Sequence, residues 1–145
     1  MDERLAELLW ALDAHGDPEI QLRITATVAE LPASLADHPR VVALGRLPHQ
    51  QLRTVWARSR AIYFPTGLES FGYPLAEARL SGHPVIALDT AQNREIAGDA
   101  LCGFAAGDDE ALRVAVARAL TTEVSADPQP FDPTAYFTYL LGEHA

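Results

Sequence analysis

Lysine is missing from all 145 residues, so the eleven basic side chains are arginines. No Schiff base and no ammonium grip on a phosphate can therefore come from this chain, and any cation it offers is a guanidinium. Cysteine occurs once, at Cys102, which excludes an internal disulfide and suits a reducing compartment. Its neighbours, Ala100-Leu101-Cys102-Gly103-Phe104, read as a buried strand carrying an inert core thiol. Positive charge is scarce too: 20 acidic residues against 11 basic ones give a formal charge of -9. That excludes a broad basic face for nucleic acid or an anionic membrane. One anionic ligand stays open, because local amides and a single arginine outweigh a distant acidic surface. Apolar runs are all too short to span a bilayer. Met1-Asp2-Glu3-Arg4 opens an amphipathic helix and not a signal peptide, so a cytoplasmic location is expected.

What is present is ordinary for a globular domain: 48% apolar and 21% charged residues. The length suits one domain with a real core but is short for a two-substrate enzyme. Leu5, Leu8, Leu9 and Leu12 predict a helix over Glu3–Ala14, closed by His15-Gly16-Asp17-Pro18. Strands are expected over Ile20–Ala26, Val41–Leu44, Ala61–Phe64, Pro84–Leu88 and Leu101–Ala105. Between them, helices are expected over Thr27–Asp37 (weakened by Pro32), from Pro48 onward, over Pro74–Leu80 and over Asn93–Ala97. Asp108 reads as the cap of a helix running through Leu120. Residues 122–130 read as a Pro-rich linker, and Pro133–Leu141 as a closing helix. The division expected is a domain over 1–121 and a linker with closing helix over 122–145. Trp10 and Trp56 are taken as core residues.

Strands written as continuous apolar runs and alternating with helices imply an α/β layered fold with a parallel sheet. Ligands of such sheets sit beyond the carboxyl ends of the strands. The loops there are Gly45-Arg46-Leu47, Thr66–Tyr73 and Asp89–Arg94. The most informative stretch runs from Phe64 to Val85. A short apolar run ends at Pro65, a loop carries Glu69, and a helix opening near Pro74 carries Glu77. Backbone N–H groups, a helix terminus and two carboxylates then converge on one pocket, which suits a nucleotide sugar.

Together these loops resemble the carboxy-terminal, donor-binding domain of GT-B glycosyltransferases, in the retaining family four group. The resemblance rests on Val42-Ala43-Leu44-Gly45-Arg46-Leu47, Pro65-Thr66, Glu69-Ser70-Phe71-Gly72 and Glu77-Ala78. Gly82-His83-Pro84-Val85-Ile86-Ala87 and Arg94-Glu95-Ile96-Ala97-Gly98-Asp99-Ala100 complete it. The fold it implies is a Rossmann-like parallel sheet with flanking helices. The function it implies is binding of a UDP- or GDP-linked sugar for transfer of a hexose with retention.

The resemblance also implies roles. Glu69, the catalytic-site candidate, would hydrogen-bond hydroxyls of the donor hexose. Amides at Phe71, Gly72 and Tyr73 would hold the sugar and distal phosphate, and those at Leu75 and Ala76 the diphosphate. Glu77 would accept from the ribose hydroxyls, while Arg46 and Leu47 border the nucleobase. No cofactor is implied, and the lack of an Asp-x-Asp motif agrees with metal independence. Blander readings stand beside these: Glu77 complementing a helix dipole, Glu69 as a solvated acid, and Arg46 paired with a neighbouring acid.

Against the family pattern, the first strand, the glycine-rich basic loop and the acceptor domain have no counterpart here. That strand would lie between Ile20–Ala26 and Ala61–Phe64, so two strands are expected to be left open or to close up. The chain alone is accordingly expected to be inactive and to be marginally stable, a homo-oligomer, or a piece of a larger or split enzyme, with the sugar or lipid-linked acceptor bound by an amino-terminal domain or missing-half partner. The alternatives are a non-catalytic nucleotide-sugar module or relic, and a GT-B nucleotide-sugar epimerase.

Overall fold

The computed structural model describes residues 2–67 and 71–134. Glu69 and nearly all of the expected closing helix over Pro133–Leu141 therefore lie outside the described residues. Helices α1 (Asp2–His15), α2 (Ala33–Ala36), α3 (His49–Ala57), α4 (Tyr73–Ser81), α5 (Ala91–Ala97) and α6 (Asp109–Thr121) alternate with strands. The strands are β1 (Leu22–Ile24), β2 (Val41–Ala43), β3 (Ile62–Phe64), β4 (Val85–Leu88) and β5 (Leu101–Phe104). The fold is α/β with parallel strands, as the apolar runs implied.

Two local expectations are corrected. In place of one helix over Thr27–Asp37 there is a single 3₁₀ turn at Val28–Glu30, followed by the four-residue α2. Pro32 separates them: it has no N–H to continue a helix, and it is extended at φ -57°, ψ 147°. Trp10 is not a core residue, being 49% exposed. Leu8, Leu9 and Leu12 take the inward stripe of α1, and Trp10 lies off it.

Alternation along β4 builds two cores, one on each face of the sheet. Ile86 and Leu88 join Leu8, Leu9 and Leu12 of α1 with Leu112 and Val116 of α6. Val85 and Ala87 face the other way, onto Leu75 and Ala78 of α4 and Ile96 of α5. Asp108 caps α6 through Oδ1, which accepts from the Ala111 amide at 2.8 Å. Cys102 is 1% exposed, and burial pushes its thiol up, which keeps it neutral.

The strands fall into two sheets, β1–β2 and β3–β4–β5. Leu22 donates to the Arg40 carbonyl at 2.8 Å, and the Ile24 carbonyl accepts from Leu44 at 2.8 Å. Alternation then points the N–H and C=O of Arg23 away from β2. In β3, Ile62 donates to the Pro84 carbonyl at 2.9 Å, so Tyr63 presents its backbone away from β4. Between these two edges lies a cavity of about 790 Å³, lined by apolar side chains such as Leu8, Leu22, Val55, Trp56, Ile62 and Phe64.

After α6 the chain straps back across α4. Arg79 donates to Asp127 Oδ2 through Nε at 2.9 Å and Nη2 at 2.7 Å, and its Nη1 reaches the Glu95 carbonyl at 3.0 Å. Gly82 permits the crossing. Its φ is +70°, and a Cβ there would stand 2.8 Å from the Val124 carbonyl oxygen. Gly82→Ala is expected to cost about 1–3 kcal/mol in urea unfolding and to open residues 122–128 to proteolysis. The Arg79 guanidinium holds the Asp127 carboxyl below its usual range. Its contribution is thus fully present above the ordinary aspartate value, about 3.9, and is lost as pH falls through the lowered one. In Asp127→Asn, that part of the acid-induced fall in thermal midpoint should vanish.

Candidate functional site

Strand β3 ends at Phe64, and the loop beyond it returns to the described residues at Phe71. Gly72 then starts α4 as its cap, with φ +85° and ψ 56°. A Cβ on Gly72 would stand 3.0 Å from Leu75 Cδ1, so the left-handed angle and the close approach both call for glycine. The Gly72 carbonyl accepts from Leu75 N at 2.9 Å and from Ala76 N at 3.4 Å. Leu75 is 0% and Ala76 6% exposed, so both side chains anchor α4 in the core while both amides serve its first turn. The amides of Phe71, Gly72 and Tyr73 have no backbone acceptor among the described residues. They form the open end of a nine-residue helix, where the dipole favours an anion.

Gly72 itself is buried, and the side chains on either side of it are exposed. Phe71 is 40% and Tyr73 72% exposed, and their rings meet edge to face at 5.3 Å. Glu77 sits in the second turn of α4, exposed, with no side-chain hydrogen bond among the described residues. Glu69, its sequence partner, belongs to the segment that is not described. The structure therefore brings Phe71, Gly72, Tyr73 and Glu77 to one end of α4 and turns Leu75 and Ala76 inward.

The other loops at the strand ends are held by ion pairs. Arg46 donates through Nη2 to Glu30 Oε1 at 2.7 Å. Glu30 Oε2 also accepts from the Thr27 amide and hydroxyl, each at 2.9 Å. Those bonds, the arginine's first, lower the Glu30 carboxyl to about 2. Arg46 thus borders its loop as half of a surface pair, and the neighbouring Leu47 is half-buried. Beyond β4, Arg94 forks onto Asp89 at 2.6 and 2.9 Å. Thr90 caps α5 by accepting from the Asn93 amide at 3.1 Å, and the buried Asn93 side chain donates to the Leu88 carbonyl at 2.8 Å. Among the described residues no group of three or more His, Cys, Asp or Glu could hold a metal ion, and no helix is long and apolar enough to cross a membrane.

One residue at this end escaped the sequence reading. Arg4, at the start of α1, donates to the Pro65 carbonyl, and Tyr63 Oη returns a bond to the Arg4 carbonyl at 2.9 Å. A basic side chain in a first helical turn opposes the dipole, and that local conflict is the signal that could have marked it.

Chemically, three open amides at a helix terminus stabilise an anion, and an exposed carboxylate accepts from vicinal hydroxyls. Over residues 4–122 the sequence matches the family described as Glycosyl transferases group 1. No curated protein and no solved structure matches the chain. The Arg46–Glu30 pair can be read directly by NMR titration. Arg46→Ala should move the Glu30 midpoint up from about 2 without reaching the free value of about 4.3, because both Thr27 bonds remain.

Proposed function

The chain belongs to the group 1 glycosyl transferases, and from that premise we propose that it binds the donor, a UDP- or GDP-linked sugar, for transfer of a hexose with retention. The observation that carries this reading is the left-handed Gly72 turn in front of α4, whose Phe71, Gly72 and Tyr73 amides have no backbone acceptor among the described residues, with the exposed Glu77 one turn further on. In transfer, the bond from the anomeric carbon to the phosphate oxygen breaks, and the leaving nucleoside diphosphate gains negative charge. Amides already fixed by the fold stabilise that charge without reorganising. Amides of Phe71, Gly72 and Tyr73 take the distal phosphate. Leu75 and Ala76, with their amides engaged inside the first turn, support the diphosphate by fixing that turn. Glu77 accepts from the ribose hydroxyls, Glu69 positions the hexose, and the Arg46–Leu47 loop borders the base. In this reading no metal takes part.

The acceptor is bound by a further domain, and the cavity between β1 and β3 supports this part of the reading. Its walls are mixed, apolar side chains standing beside Arg4, Arg23, Arg58 and Arg60, and the backbone groups of Arg23 and Tyr63 directed away from their ladders flank it. An extended apolar strand running parallel to both edges would satisfy them together. An alternative is a non-catalytic nucleotide-sugar module, which the same open cavity would also suit.

Calorimetry separates these readings. The chain should bind UDP or GDP and their sugars, and Glu77→Ala should weaken all of them by about tenfold, the worth of one hydrogen bond to a charged group. Undiminished binding by Glu77→Ala would remove Glu77 from the site. Nucleotide binding without transfer, after supplying the amino-terminal half of another group 1 glycosyl transferase, would favour the module. In hydrogen exchange on the chain alone, the Arg23 and Tyr63 amides should exchange much faster than those of Leu22 and Ile62. Equal protection in a monomer would contradict an open strand site.

A further inference from the structure

We propose that Asn93 reads the sugar of the donor: its side-chain carbonyl accepts a hydrogen bond from a hydroxyl of the hexose. The assignment rests on the donor-site reading above and adds to it a side chain from α5. Among the described residues Asn93 is the one buried polar residue, at 8% exposure. A buried amide has an acceptor oxygen and two N–H donors to place. Here only part of that capacity is used. Nδ2 donates to the Leu88 carbonyl at 2.8 Å, and the backbone amide goes to Thr90 Oγ1 at 3.1 Å. A carbonyl partner demands the NH2 end of the group, so the Leu88 bond also fixes which way the amide points.

Oδ1 is the end left over, and it accepts no hydrogen bond among the described residues. Nor is it sealed. Among the described residues no side-chain nitrogen or oxygen shut off from solvent lacks a partner, so Oδ1 is reached from outside. Anchoring α5 to the end of β4 uses the NH2 end alone and leaves a reachable acceptor in an otherwise apolar setting.

The surroundings are those of the candidate site. Asn93, Ile96 and Ala97 form the buried stripe of α5, at the i, i+3, i+4 spacing of one helix face. Ile96 reaches the Gly72 turn: a Cβ on Gly72 would stand 3.9 Å from Ile96 Cδ1. Asn93 lies one turn nearer the start of α5, beyond the carboxyl end of β4, where sheets of this class receive ligands. Leu88, its partner, closes on the loop after β3, since a Cβ on Gly67 would stand 3.3 Å from Leu88 Cδ1. The stripe is thus apolar at the level of the turn and polar just above it. Chemistry then selects the ligand group. An ionised phosphate only accepts and has nothing to give Oδ1, whereas a sugar hydroxyl donates to it and accepts from the spare Nδ2 hydrogen. In the donor, the hexose is bonded directly to the phosphate assigned to the Phe71, Gly72 and Tyr73 amides. N–H groups therefore hold the phosphate, and the Asn93 carbonyl reads the ring attached to it.

The test is calorimetry of wild type and Asn93→Leu with UDP-glucose, UDP-galactose and GDP-mannose, each beside its bare diphosphate. Asn93→Leu should bind the preferred sugar-linked donor about tenfold more weakly and UDP or GDP within about twofold of wild type. One monodeoxy form of that donor should bind wild type as weakly as the parent binds Asn93→Leu, and combining the two changes should cost no more. A second readout needs no variant: in the isotopically labelled wild type, the Asn93 side-chain NH2 resonances should move with the sugar-linked donor and stay in place with UDP or GDP. Equal losses for donor and diphosphate in Asn93→Leu, or unmoved Asn93 side-chain resonances at saturation, would overturn the assignment and leave the donor site standing. A wild-type chain that binds none of these ligands would overturn the donor-site reading and the assignment together.

Discussion

A single left-handed residue sets up the candidate site. Because Gly72 adopts φ +85°, the chain leaves the loop after β3 and enters α4 with the Phe71, Gly72 and Tyr73 amides lacking a backbone acceptor among the described residues. The same turn drops Leu75 into the core at 0% exposure and engages the Leu75 and Ala76 amides on the Gly72 carbonyl. Anchoring of the helix and unpaired amides at its start are thus two results of one backbone conformation. A side chain at Gly72 would press on Leu75 and disturb both at once.

The turn is only as rigid as the layers beneath it. β4 alternates Val85 and Ala87 towards α4 with Ile86 and Leu88 towards α1 and α6, so one four-residue strand belongs to both cores. Arg79 then ties α4 to the returning chain and to α5. The opposite side of the fold is less complete. β1 and β3 leave backbone groups directed away from their ladders across an apolar cavity, and Arg4 occupies the Pro65 carbonyl at its mouth. Rigid support thus lies on the α4 side and an open flank on the other.

The layers were legible because buried parallel strands are written as uninterrupted apolar runs, and all five strands fall within the expected segments. The Asp108 cap and the opening of α4 near Pro74 were legible for a similar reason, since each rests on local backbone chemistry. What failed were readings that needed tertiary information. Trp10 is apolar, yet three leucines fill the inward stripe of α1 and leave it outside. Pro32 cuts a segment whose composition otherwise suits a helix. The pairing of Arg46 with an acid stood among the readings and is present, but its partner Glu30 lies sixteen residues away and is not given by spacing. The bond of Arg4 to Pro65 shows only once the start of α1 is seen against the loop after β3. Glu69 lies outside the described residues, so its role rests on the family and on its nearness in sequence to the Gly72 turn.

The central claim is that the turn before α4 is an anion seat. Backbone amide NMR of the isotopically labelled chain, titrated with UDP or GDP, addresses it most directly. Saturable shifts centred on Phe71, Gly72 and Tyr73, and absent with the bare nucleoside at equal concentration, are the expected result. Shifts confined to the far side of α4 around residues 122–127, or an unmoved Gly72 resonance at saturation, would contradict it.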